Sequence, residues 1–273
     1  MLVGMWTTHL LVAAITFGAM LLMAGILHLL PRLGPPGRAV SEWCIRAPGL
    51  DLIVTYFVIA PLVIGPVVDG WWGLLAAVIG QAAAVIIWCQ LHELAHPAAR
   101  RGPRIVKELN QVVGAVRNHA ALWVTTIAAP GFWFVRVMEM ILWPCFVVLV
   151  AFPRYRHGEW VNCSRQKFQG LVGHDLIWCL YCDWMTGVWS LGSEMLRNVE
   201  SFWCPIRFPA PKKNEHCAQD FPDLNDGWVD VDKGMAEVAE TLRGKYERGR
   251  DPHTWYGHPA RRSPANGDAE EEK

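Results

Sequence analysis

The residues best equipped for chemistry are His92, Glu93 and His96, which stand in the order His-Glu-x-x-His, separated by three residues from the apolar run Ala82 to Trp88. On a helix, two imidazoles four residues apart share a face. Neutral imidazoles so placed can hold Zn²⁺, and a glutamate beside the first can take a proton from a metal-bound water. Pro97 follows His96 directly, so the helix is expected to stop or kink there. A second candidate is Cys179-Leu180-Tyr181-Cys182, where two sulfurs one helical turn apart suit thiol–disulfide exchange. The plain alternatives are a polar helix end for the histidines and two small buried side chains for the cysteines.

Over its five residues, the His92–His96 segment resembles the motif of membrane-embedded zinc metallopeptidases. That resemblance implies zinc held by His92 and His96, Glu93 as general base, and a further ligand from a later helix. Such a ligand must lie at the same membrane depth as the histidines. With five simple spans, Glu194 is at the correct end; if the fourth segment re-enters, Asp175 is there instead. Asp183, with Gly187 after it, loosely echoes the downstream aspartate of the site-2 type of these peptidases. The cysteine pair, in turn, looks somewhat like the redox pair of the vitamin K epoxide reductase family. That implies a membrane thiol-redox protein using Cys179 and Cys182, and a third reading is a non-catalytic membrane subunit that packs against other subunits.

The elements that must position these residues are membrane helices. Over half the residues are apolar, only 18% are charged, and the apolar ones cluster in long runs. Leu10 to Leu30 is long enough to cross about 30 Å of hydrocarbon. It has no basic residue before it and no small-residue cleavage site after it, unlike a cleavable signal. Arg32, Arg38 and Arg46 follow, which puts the N-terminus outside by the positive-inside rule. His28 near the inner end reads as a snorkelling side chain or a ligand. Leu50 to Val68 is the second span, Asp69 to Gly73 a tight turn, and Leu74 to Leu91 the third span, returning inside toward Arg100, Arg101, Arg104 and Lys107.

Ile105 to Ala129 is helical in pattern but broken by Arg117, Asn118 and His119, as in a helix lying in the membrane interface. Phe132 to Phe152 can span, with Arg136 and Glu139 three apart and able to pair. Leu176 to Leu191 is the last apolar run, with a polar stripe through Asp175, Cys179, Cys182, Asp183 and Glu194. The expected fold is an all-α polytopic transmembrane helical bundle of about five spans (range four to six) over residues 1–204. A small soluble C-terminal segment, 205–248, carries one amphipathic helix with Met235, Val238, Ala239, Leu242 and Tyr246 on one face. Residues 249–273, with their Pro, Gly and closing acidic run, are expected to be a disordered tail. The expected location is the cell membrane, multi-pass, with the tail on the cytoplasmic side. The formal net charge of zero gives no field for nucleic acid, so the expected partner is the lipid bilayer.

Overall fold

The computed structural model describes residues 2–220, 224 and 227–245, so the segment 249–273 and Tyr246 lie outside the described residues. The chain is all-α: among the described residues the only β pairing is two isolated bridges, Arg46 with Asn162 and Ile206 with Val229. Three helical stretches are long and apolar enough to cross a membrane: Thr7–Cys44, Gly49–Ala95 and Ala115–Val150. This is the make-up of a multi-pass membrane bundle. The chain divides into two compact units, Met1–Phe134 with His157–Val188, and Val135–Arg156 with Trp189–Lys273.

In the first unit, α1 (Leu2–Leu29) is followed by α2 (Gly34–Cys44), and α3 (Gly49–Val54) runs through a π-helical turn at Thr55–Ile59 into α4 (Ala60–Ala95). The α4 helix is not straight. Asp69 (φ −148°, ψ 34°) and Gly70 (φ 54°, ψ −140°) leave helical geometry, and glycine suits the positive φ. The chain folds back there, so residues 49–68 and 71–95 form two legs of a hairpin. Gln81 on the second leg donates from Nε2 to the Phe57 and Val58 carbonyls on the first, at 2.8 and 3.1 Å. Gly65 and Gly73 meet across the hairpin so closely that a Cβ on Gly65 would lie 2.5 Å from the Gly73 carbonyl oxygen. The Asp69–Gly73 turn expected from sequence therefore sits where the hairpin bends.

Helix α1 runs parallel to the second leg. His9 pairs with Asp69 at one end, Gly80 packs on the Ala13 backbone, and His28 meets His92 at the other end. Small residues line the contact, and Ala77 and Ala84 on the second leg are fully buried. Large ones face outward: Leu10 is 69% exposed and Val67 81%. Small-inside, large-outside is the order expected when lipid tails, not water, surround the helices.

After α4 come the short α5 (Pro97–Arg101), α6 (Ile105–Val113) and α7 (Ala115–Thr125), then α8 (Ala129–Val150), α9 (His157–Trp160) and α10 (Gly173–Trp203). The expected last span, Leu176 to Leu191, is the first part of α10, which is not among the three apolar stretches. Its stripe of Asp183 and other polar residues dilutes its hydropathy.

In the second unit, Arg136 donates to Glu139 at 2.9 Å with both side chains buried, the i, i+3 pairing expected from sequence. The chain beyond Pro205 has α11 (Pro211–Asp220), and α12 (Met235–Lys245) where the amphipathic pattern predicts a helix. Pro211 at the first helical position explains α11, since a missing N–H costs nothing there. Val238 of α12 is buried, and Trp228 anchors this part through a 3.1 Å bond from Nε1 to Ser201.

Candidate functional site

At the end of the second leg, α4 stops at Ala95, and His96 adopts φ −125°, ψ 63°, as Pro97 requires. The two histidines nevertheless stay on one face, their rings stacked with centroids 4.4 Å apart. A third imidazole joins them from α1: His28 lies 5.4 Å from His92 and 5.8 Å from His96, edge-on to both. Trp88, one turn before His92, stacks on it at 4.7 Å. All four rings belong to the first unit.

The protons of this cluster follow from its partners. His96 Nδ1 lies 2.9 Å from the His92 carbonyl oxygen, which only accepts, so His96 carries its proton on Nδ1 and leaves Nε2 with a lone pair. His92 Nδ1 accepts from the Gly173 N–H at 3.1 Å, which puts the proton of the neutral ring on Nε2.

Glu93 turns toward a different set of groups. Its Oε1 accepts from Arg104 at 2.8 Å and from the His174 N–H at 3.4 Å, and Arg100 lies 3.9 Å from Oε2. Gly173, at φ +53°, packs directly over it; a Cβ there would collide with the Glu93 side chain and lie 2.8 Å from the Cys89 carbonyl oxygen. Arg104, with only 3% of its side chain exposed, also donates to Asp175 at 2.7 Å and to the Val172 carbonyl at 3.1 Å. Asp175 in turn accepts from the Ile105 and Val106 N–H groups, both at 3.1 Å.

Two helix starts are thereby capped by carboxylates from elsewhere in the chain: α10 by Glu93 and α6 by Asp175, with Arg104 bonded to both. Free N–H groups and the helix dipole favour a carboxylate at such positions. Burial works to raise the Asp175 pKa, but the His174, Arg104 and Val106 contacts outweigh it and hold the carboxyl below its usual range. Arg104 also loses hydration on burial, yet its bonds to Glu93 and Asp175 leave its pKa raised.

The other candidates lie elsewhere. Asp183 accepts from the Ser164 N–H at 2.6 Å and the Arg165 N–H at 3.0 Å, and so caps the turn Arg165–Lys167. Glu194 belongs to the second unit, where it accepts from Tyr155 at 3.2 Å and Arg197 at 3.1 Å. Cys179 is half-buried and Cys182 exposed, both as free thiols.

The sequence reading missed Arg104 and Gly173 as parts of this site. Neither has a local pattern that announces its partner, although an aspartate two residues after a glycine does mark the start of α10. Among the described residues, no group of three or more His, Cys, Asp or Glu side chains is already arranged to hold a metal ion. No protein-family model, curated protein or solved structure matches the chain.

Proposed function

We propose that the protein is a multi-pass protein of the cell membrane that binds a transition metal, zinc first, through His28, His92 and His96. The observation that carries this reading is the meeting of three imidazoles from two membrane helices, with all ring centroids within 5.8 Å. Three imidazoles with a fourth position left open form a known catalytic zinc set. In this reading His28 from α1, not Glu194 or Asp183, supplies the third ligand.

His96 is preset to coordinate, since its Nδ1–H is held by a carbonyl and its Nε2 lone pair is available. His92 must give up the Gly173 N–H or shift its proton, and the rings must rotate to converge. Losing one such hydrogen bond costs about 1–3 kcal/mol. Zinc binding to a structural site is worth about 10–16 kcal/mol, so the metal term dominates.

The finer form of this proposal is a hydrolase of the metallopeptidase type with Glu93 as general base. A carboxylate held in ion pairs with Arg104 and Arg100 is a poor proton acceptor, so this chemistry requires Glu93 to leave Arg104. The thiol-redox alternative has less support, because Cys179 and Cys182 stand as free thiols and not as a disulfide.

The deciding experiment is metal analysis of the purified full-length protein after zinc loading and desalting. Near-stoichiometric zinc in the wild type, lost in His28→Ala, His92→Ala and His96→Ala, is expected. A zinc-free wild type overturns the reading, and zinc retained in His28→Ala overturns the three-histidine set.

A further inference from the structure

Between the second leg of α4 and the stretch Ala115–Val150 lies a connection whose exposed face has no partner within the described residues. Helix α6 carries Ile105, Leu109, Val112 and Val113 within roughly 100° of arc at 100° per residue. All four are exposed, Val112 by 77%, and the opposite face holds Lys107 and Gln111, with Glu108 on the flank beside Val112. An apolar stripe this open needs an occupant.

Three observations identify it. First, α6 is tethered on both sides by membrane-crossing stretches, ending at Ala95 and starting at Ala115, which keeps it close to a membrane surface. Second, its start is held by Asp175, which bonds the Ile105 and Val106 N–H groups and leaves the stripe uncovered. Third, the connection and its flanks are basic. Arg100, Arg101, Lys107 and Arg117 are exposed, with Glu108 the acidic residue among them. Arg32 and Arg38 follow α1, which runs parallel to the second leg and so ends on the same side. An excess of Lys and Arg marks the cytoplasmic side, where the leaflet is anionic.

We infer that α6 is an interfacial anchor: its Ile105–Leu109–Val112–Val113 face enters the headgroup and acyl boundary of an anionic leaflet, and the surrounding basic residues pair with lipid phosphates. Amphipathic helices of this kind sit about 5–10 Å into that boundary. The anchor fixes the height of the chain segment that delivers Arg104 to Glu93 and Asp175. It does not depend on metal binding.

The test uses full-length protein reconstituted in bilayers of phosphatidylcholine alone or mixed with phosphatidylglycerol. Exposed Cys145, Cys182 and Cys204 are changed to serine, and an environment-sensitive fluorophore is placed at Val112→Cys or, on the polar face, at Gln111→Cys. Brominated lipid is expected to quench the label at 112 several-fold more than that at 111, more strongly with phosphatidylglycerol present. Lys107→Gln or Arg117→Gln should each lower the immersed-to-raised ratio about fivefold in the anionic bilayer. Equal quenching at both positions overturns the anchor. A label at 112 shielded from both water and bromine shows a protein partner or a second copy on the face, and also overturns it. Immersion that is the same with and without phosphatidylglycerol overturns the anionic assignment.

Discussion

Replacing Asp175 with asparagine removes one charge from a buried ion pair while keeping the side chain's size. In the wild type, Asp175 accepts from Arg104 at 2.7 Å and from two backbone N–H groups at 3.1 Å, with 4% of its side chain exposed. Asparagine keeps one acceptor oxygen where aspartate has two, so its amide N–H₂ opposes either the Val106 N–H or the Ile105 N–H and Arg104, and Arg104 loses its charged partner here, left with Glu93 and the Val172 carbonyl. Removing one partner of a buried pair costs about 3–5 kcal/mol, and the surviving contacts bring the expected loss to about 2–4 kcal/mol. Equilibrium unfolding of the purified protein in micelles measures it, with Arg104→Met and the double variant completing a cycle. The double variant should be less destabilised than the sum of the singles, by about 1–3 kcal/mol. A loss in Asp175→Asn under about 0.5 kcal/mol, or strict additivity, refutes the interlock. The pH dependence has a definite sign. Because the folded pKa of Asp175 lies below its unfolded value of about 3.9, its contribution is complete above that value. It is lost as the pH falls through the folded pKa, so acid below about pH 4 should destabilise the wild type more steeply than Asp175→Asn.

Other outcomes follow from the same geometry. Gly173→Ala places a methyl group against Glu93 and the Cys89 carbonyl at positive φ, and should cost at least about 2 kcal/mol by the same unfolding assay; a neutral result removes Gly173 as the lid over Glu93. Gly80→Val should separate α1 from the second leg, because its added atoms meet the Ala13 backbone. Disulfide trapping between cysteines introduced at His9 and Asp69, which pair in the wild type, would then drop. Maleimide at neutral pH should label exposed Cys182 and spare Cys163, which is buried with its thiol pushed up to about 12; equal labelling contradicts that burial. If the metal reading holds, Arg104→Met frees Glu93 without removing a ligand, so zinc content should persist while His92→Ala abolishes it.

The features readable along the chain are those set by neighbours in sequence. Long apolar runs identified the membrane helices, because burying backbone polar groups in lipid leaves little choice but helix. Asp69-Gly70 marked the bend, since glycine reaches the φ that the turn needs, and Pro97 marked the end of α4 by its clash with the preceding residue. Arg136 and Glu139 could be paired because one helical turn brings them together. The span count was harder, since α10 lies between an apolar and a polar helix and only its packing decides its surroundings. What tertiary structure alone decided is the role of the residues in His92–His96. Their spacing placed two imidazoles on one face, but His28 stands 64 positions before His92 and reached the cluster through the parallel packing of α1. Glu93 reads in sequence as a base beside a metal. In space, Arg104 and the start of α10 claim it, because a buried carboxylate is most stable where a guanidinium and free helix N–H groups surround it.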